Sequence, residues 1–108
     1  MAYTEKQHQD KVNVFDDIAI ELRNLYDAKN RDYSDSFGQS FAKWGLPMSC
    51  IRLGDKLNRL ESFAQKKDMQ VADESVEDTL RDLANYAIMT LVEMQMAKKA
   101  QKEQKEEE

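Results

Sequence analysis

Gly38, Gly45, Pro47 and Gly54 are the only glycines and prolines among the 108 residues, and three of them fall within ten positions. These are the residue types that most readily interrupt a helix. A chain with so few of them can run helical almost from end to end, broken once near its middle. No alternation of β-branched residues marks a strand. The expected class is therefore all-α, a compact bundle of three long helices plus a short helical or loop segment.

Apolar periodicity places the helices. The first is expected from about Gln7 to Lys29, with Val12, Phe15, Ile18, Ala19, Leu22, Leu25 and Tyr26 as its core stripe. NRDYSDSFGQS follows, a loop by turn chemistry, and FAKWG is too short to assign, with a single helical turn as one option. Pro47 suits the first turn of the next helix. That helix runs to about Gln65 with Cys50, Leu53, Leu57, Leu60 and Ala64 inward, which makes the single cysteine a buried thiol. KKDMQVAD leads to a last helix, with Asp73 or Ser75 as its N-cap and Ala97 as its nearest possible end.

On that last helix, Val76, Leu80, Leu83, Ala84, Ala87, Leu91 and Met94 make the expected core stripe. Asp78, Asp82 and Asn85 ladder down the opposite face, which then turns apolar through Tyr86, Met89, Val92 and Met96. Three helices are too few to cover both faces, so a homo-oligomer is expected, its contact lying on this second face, the alternative being that the first helix and the Phe37–Trp44 segment cover it within one chain. Residues 1–97 read as one domain. Lys98 to Glu108 holds four Lys and four Glu, a charged tail without net charge. The formal charge of −5 thus belongs to the body and disfavours nucleic acid as a partner. With no signal-like or membrane-length apolar run, a cytoplasmic location is expected.

Two groups of residues could carry chemistry. In IRLGDKLNRL, Arg52, Asp55, Lys56 and Arg59 share one face. They read either as ordinary surface ion pairs or as phosphate-binding cations with Asp55 turned towards Asp78 and Asp82 around Mg²⁺. Tyr33, Phe37, Phe41 and Trp44 fall within twelve positions. They read either as a plug for the end of the bundle or as a surface for stacking a base. Asn30 and Asp32 lie beside them. His8 stands alone and takes no role, and no nucleophile motif or phosphate-cradling glycine loop is present.

KNRDYSDSF (Lys29 to Phe37), IRLGDKLNRL (Ile51 to Leu60) and DESVEDTLRDLANYAIM (Asp73 to Met89) together resemble the nucleotide modification associated domain 1 family. These are small proteins found largely in phages and bacteria, named for the genomic company of nucleotide-modifying enzymes. The blocks are also similar to MazG-type all-α nucleoside triphosphate pyrophosphatases, helical oligomers that hold Mg²⁺ on Glu-x-x-Glu and Glu-x-x-Asp pairs. That likeness implies Asp55 in the first pair and Asp78 and Asp82 near the second. Two departures stand against it. The last helix carries Asp-x-x-x-Asp, and Asn58 occupies the place of a second acid after Asp55. Ser34 also replaces the glycine common after the Asp-Tyr pair.

The resemblance thus implies a nucleoside phosphate held by Asn30, Asp32, Tyr33, Phe37, Trp44, Arg52, Lys56 and Arg59, with Asp55, Asp78 and Asp82 as metal ligands. Three readings follow from it: a Mg²⁺-dependent phosphohydrolase, a sponge that sequesters a signalling nucleotide of an antiphage pathway, and a helical interaction protein without ligand.

Overall fold

The computed structural model describes residues 2–65 and 73–107, all of its regular structure helical. Four helices follow in order: α1 (Glu5–Asp32), α2 (Ser36–Trp44), α3 (Leu46–Gln65) and α4 (Asp73–Glu107). The connection before α4, and with it the cap of that helix, lies outside the described residues. The chain divides into two units, residues 1–34 and 35–108, each described by itself.

The first unit is α1. It begins two residues earlier than the apolar period suggests because Thr4 and Gln7 form a capping box. The Gln7 amide donates to Thr4 Oγ1 at 3.1 Å, and the Thr4 amide donates to Gln7 Oε1 at 2.8 Å. The helix also runs on through Asn30 and Asp32, supported by an Arg31–Asp27 ion pair one turn back at 3.0 Å. Of the stripe expected to be core, Leu22 is buried, whereas Val12, Phe15 and Ile18 are exposed.

Ser34 and Asp35 then take left-handed backbone angles, φ 52° and 58°. For a residue with a Cβ, that conformation costs roughly 1–2 kcal/mol. Turn chemistry is thus concentrated in these two residues. The remainder of the expected loop is a nine-residue helix, α2. Ser34→Gly should therefore stabilise the protein, by up to about 1 kcal/mol after the entropy of the unfolded glycine is subtracted. Thermal melting of the two proteins under identical buffer checks this.

α2 turns into α3 at Gly45, whose φ of 70° suits glycine and whose amide donates to the Phe41 carbonyl at 2.7 Å. α3 and α4 pack as an antiparallel hairpin, and two cross-links give its register. Ser49 meets Thr90 at one level, and Lys56 meets Asp82 two turns further along. Thr90 Oγ1 lies 2.8 Å from both Ser49 Oγ and the Tyr86 carbonyl. A hydroxyl has one proton, so Thr90 donates to the carbonyl and Ser49 donates to Thr90. Ser49 is fully buried, and Thr79 and Thr90 nearly so.

The face on which the hairpin closes is not the one expected. On α4 the packed side carries Thr79, Leu83, Tyr86 and Thr90, while Leu80, Ala87, Leu91 and Met94 are exposed. On α3 the packed side carries Ser49, Leu53, Lys56 and Leu60, while Cys50 and Leu57 are exposed. Cys50 is accordingly not the buried thiol its stripe implied. Small side chains let the two backbones approach, and a hydroxyl pair satisfies the polar atoms they bury. α4 continues helical through the Lys/Glu segment as far as Glu107.

Candidate functional site

Within the second unit, α2 lies against one side of the hairpin and brings an aromatic ring to it. Phe37 stacks on Tyr86 with ring centroids 6.0 Å apart and planes 21° from parallel. The Arg52 guanidinium stands over the same Tyr86 ring, 6.0 Å from its centre. One turn further along α3, Lys56 Nζ meets Asp82 Oδ2 at 3.0 Å, both half-buried. Beyond it, Arg59 stands over Phe63 at 5.8 Å. Cations and rings thus run side by side along the α3–α4 seam.

The charges on this side are not equally engaged. Lys56 is neutralised by Asp82. Arg81 is shared between Glu77 and Asp78, at 3.5 Å from each. Arg52 and Arg59 lie over rings and, among the described residues, form no ion pair. A guanidinium on a ring keeps its full charge and its forked donors, the pattern suited to a phosphate or carboxylate. At the α2 end, burial first and then the nearby Asp35 charge raise the Glu93 carboxyl above its ordinary range. A raised acid contributes stability at pH below its unfolded value and loses that contribution as pH rises through the folded one. Gly38, in the first turn of α2, leaves the room Asp35 occupies; a Cβ there would come within 2.5 Å of both carboxylate oxygens.

The residues singled out from the sequence separate into three sets. Phe37, Arg52, Lys56 and Arg59 share the side just described. Trp44 ends α2, mostly exposed, with Lys43 over its ring at 5.2 Å. Asn30 and Asp32 sit in the last turn of α1 and Tyr33 caps it, exposed, in the first unit. The acids Asp55, Asp78 and Asp82 are not gathered. Among the described residues no three metal-ligating side chains form a group, Asp82 is committed to Lys56, and Asp78 is drawn to Arg81. As they stand, these residues do not fit a shared Mg²⁺ site, which asks for closely spaced oxygens in octahedral array.

Periodicity places Tyr86 in the apolar surplus of α4, yet it joins Phe37 to Arg52. A tyrosine one turn from Asp82, on the same face, was the available signal. Among the described residues no helix is long and apolar enough to cross a membrane. Residues 29–94 match the family model described as nucleotide modification associated domain 1. No curated protein and no solved structure matches the chain.

Proposed function

We propose that this chain, which belongs to the nucleotide modification associated domain 1 family, binds a nucleoside phosphate along the Arg52–Tyr86 side of the α3–α4 hairpin. One observation carries the reading: two guanidinium groups stand over aromatic rings on a single seam, without carboxylate partners among the described residues. A nucleobase extends the Phe37–Tyr86 stack, and Arg52 and Arg59 take the phosphates. Stacking is tolerant of base identity and contributes on the order of 1–3 kcal/mol per base. Charge-assisted bonds to phosphate contribute roughly 1.5–3 kcal/mol each. Lys56, already neutralised by Asp82, holds the seam closed more than it attracts an anion.

Retention of the nucleotide is favoured over its hydrolysis. Asp82 serves Lys56 and Asp78 serves Arg81, so neither carboxylate stands ready as a metal ligand. Mg²⁺ would come as the counter-ion of the phosphates. In the phage or bacterial setting that the family resemblance implies, such a protein sequesters a nucleotide, with a cyclic or modified signalling nucleotide as the natural candidate. The test is to mix pure protein with nucleoside mono-, di- and triphosphates and cyclic dinucleotides, with and without Mg²⁺. Mass spectrometry then identifies what is retained and what is altered. A ligand retained unchanged supports sequestration, a Mg²⁺-dependent product supports a phosphohydrolase, and neither result supports an interaction protein.

A further inference from the structure

The two guanidinium groups of the seam are built alike. Arg52 stands over the Tyr86 ring at 6.0 Å, and Arg59 over the Phe63 ring at 5.8 Å. At 100° per residue, Arg52, Arg59 and Phe63 fall within about 40° of one another on α3, so both units lie on one face. Seven residues along the helix separate the two arginines, a distance of about 10 Å. Between them, one turn from Arg52, Lys56 Nζ meets Asp82 Oδ2 at 3.0 Å. All six residues belong to the second unit.

Such spacing selects among phosphorylated ligands. Neighbouring phosphates of a nucleoside di- or triphosphate share an oxygen and lie closer together than the roughly 5.4 Å of one helical turn. A chain of this kind satisfies one arginine. Laid on towards the other, it meets the Lys56–Asp82 pair, which has no net charge and sets a carboxylate in its path. A lone phosphate reaches one unit and leaves the second unused. Two phosphates kept apart by a sugar meet neither difficulty. Each takes one guanidinium fork, and the neutral pair lies between them. The rings agree with this division. The Phe37–Tyr86 stack at one end and the half-buried Phe63 at the other supply aromatic surface beside each cation. Every base has a π-face and stacks on either without regard to its identity. One arginine-and-ring unit therefore matches one nucleotide, and the seam carries two.

We propose that the ligand of this side is a dinucleotide, one phosphate on Arg52 and the other on Arg59, and not a single nucleoside carrying a polyphosphate. The proposal rests on the reading of this side as a nucleoside phosphate site and names the class of ligand that the site takes. Lys56 and Asp82 act as its spacer. A cyclic dinucleotide and a linear one with a 5′ phosphate share the chemistry required, two phosphates parted by a sugar.

Titration calorimetry of the full chain with cyclic di-AMP, the linear dinucleotide pApA and ATP tests it. Arg52→Ala, Arg59→Ala and, as a control, Lys99→Ala are compared with wild type, and thermal melts of each separate lost affinity from lost fold. ATP carries the greatest charge of the three ligands, so undirected electrostatic attraction would favour it. At least one dinucleotide should nevertheless bind wild type more tightly than ATP, a comparison that needs no variant. Each arginine variant should then lower the affinity of that dinucleotide by roughly ten- to a hundredfold, the effect of one charge-assisted bond. ATP should respond to one arginine variant and not to both, and Lys99→Ala should change nothing. The preference between pApA and cyclic di-AMP identifies which form the site takes. ATP bound as tightly as either dinucleotide, or dinucleotide affinity indifferent to Arg59→Ala, would overturn the proposal and leave Arg52–Tyr86 as a single-phosphate site. No binding of any of the three, or binding indifferent to both arginines, would remove that site and the proposal with it.

Discussion

Ser49→Leu is expected to lower the melting temperature sharply, because Ser49 is fully buried where α3 and α4 approach each other. Overpacking such a position costs typically 1–3 kcal/mol. In a domain of this size each kcal/mol lost lowers the melting temperature by roughly 4–8 °C. Ser49→Ala is the comparison. It removes the hydroxyl that donates to Thr90, but Thr90 keeps its own bond to the Tyr86 carbonyl at 2.8 Å. The loss should then be that of one ordinary hydrogen bond, about 0.5–1.5 kcal/mol. Circular dichroism melts of the three proteins give the order wild type, alanine, leucine. A leucine variant as stable as wild type would mean that the hairpin does not close at Ser49.

Tyr86→Ala should have the largest effect on ligand. It removes the ring that Phe37 stacks on and that Arg52 covers. Loss of one aromatic platform weakens stacking by about 1–3 kcal/mol. The Phe37–Tyr86 pair itself adds roughly 0.5–1.5 kcal/mol to the fold beyond its buried area. Tyr86→Phe keeps the ring, and both terms should survive. Titration calorimetry of the three proteins, with melts alongside, separates lost affinity from lost fold. Equal affinity in Tyr86→Ala would place the ligand elsewhere.

The positions of the helices were legible in the sequence, and their orientations were not. Pro47 and the Leu stripe placed α3 within a residue of its true start. The Thr4–Gln7 capping box, present in the sequence as T-E-K-Q, would have corrected the start of α1. α2 was hidden because Ser, Asp and Gly around Phe37 read as loop chemistry, whereas Ser34 and Asp35 alone make the turn. The faces failed for a different reason. Periodicity reports where a helix is most apolar, not which neighbour covers it. On α4 the most apolar stripe runs through Leu80 and Leu91, yet the contact within the chain runs through Thr79, Tyr86 and Thr90. Serine and threonine score poorly as core residues but suit a close crossing, where their hydroxyls satisfy one another.

The cationic face of α3 was legible as a group, because Arg52, Lys56 and Arg59 recur at helical spacing. Their separate tasks were not, since those depend on what α4 presents across the seam. Asp82 meets Lys56 there, and Tyr86 meets Arg52. The carboxylate ladder that suggested metal ligands is divided between Lys56 and Arg81. An i,i+4 pair of acids in a sequence carries no record of the cations that will oppose it.

The most direct measurement is a calorimetric titration of wild type and Arg52→Ala with the nucleotide retained from the mixture, at low and high salt. Binding that falls as salt rises is expected, because the phosphate contact is electrostatic. Arg52→Ala should weaken it by about 1.5–3 kcal/mol and flatten its salt dependence. Affinity unchanged by both salt and Arg52→Ala, or no nucleotide retained at all, would contradict a nucleoside phosphate site on this side of the hairpin.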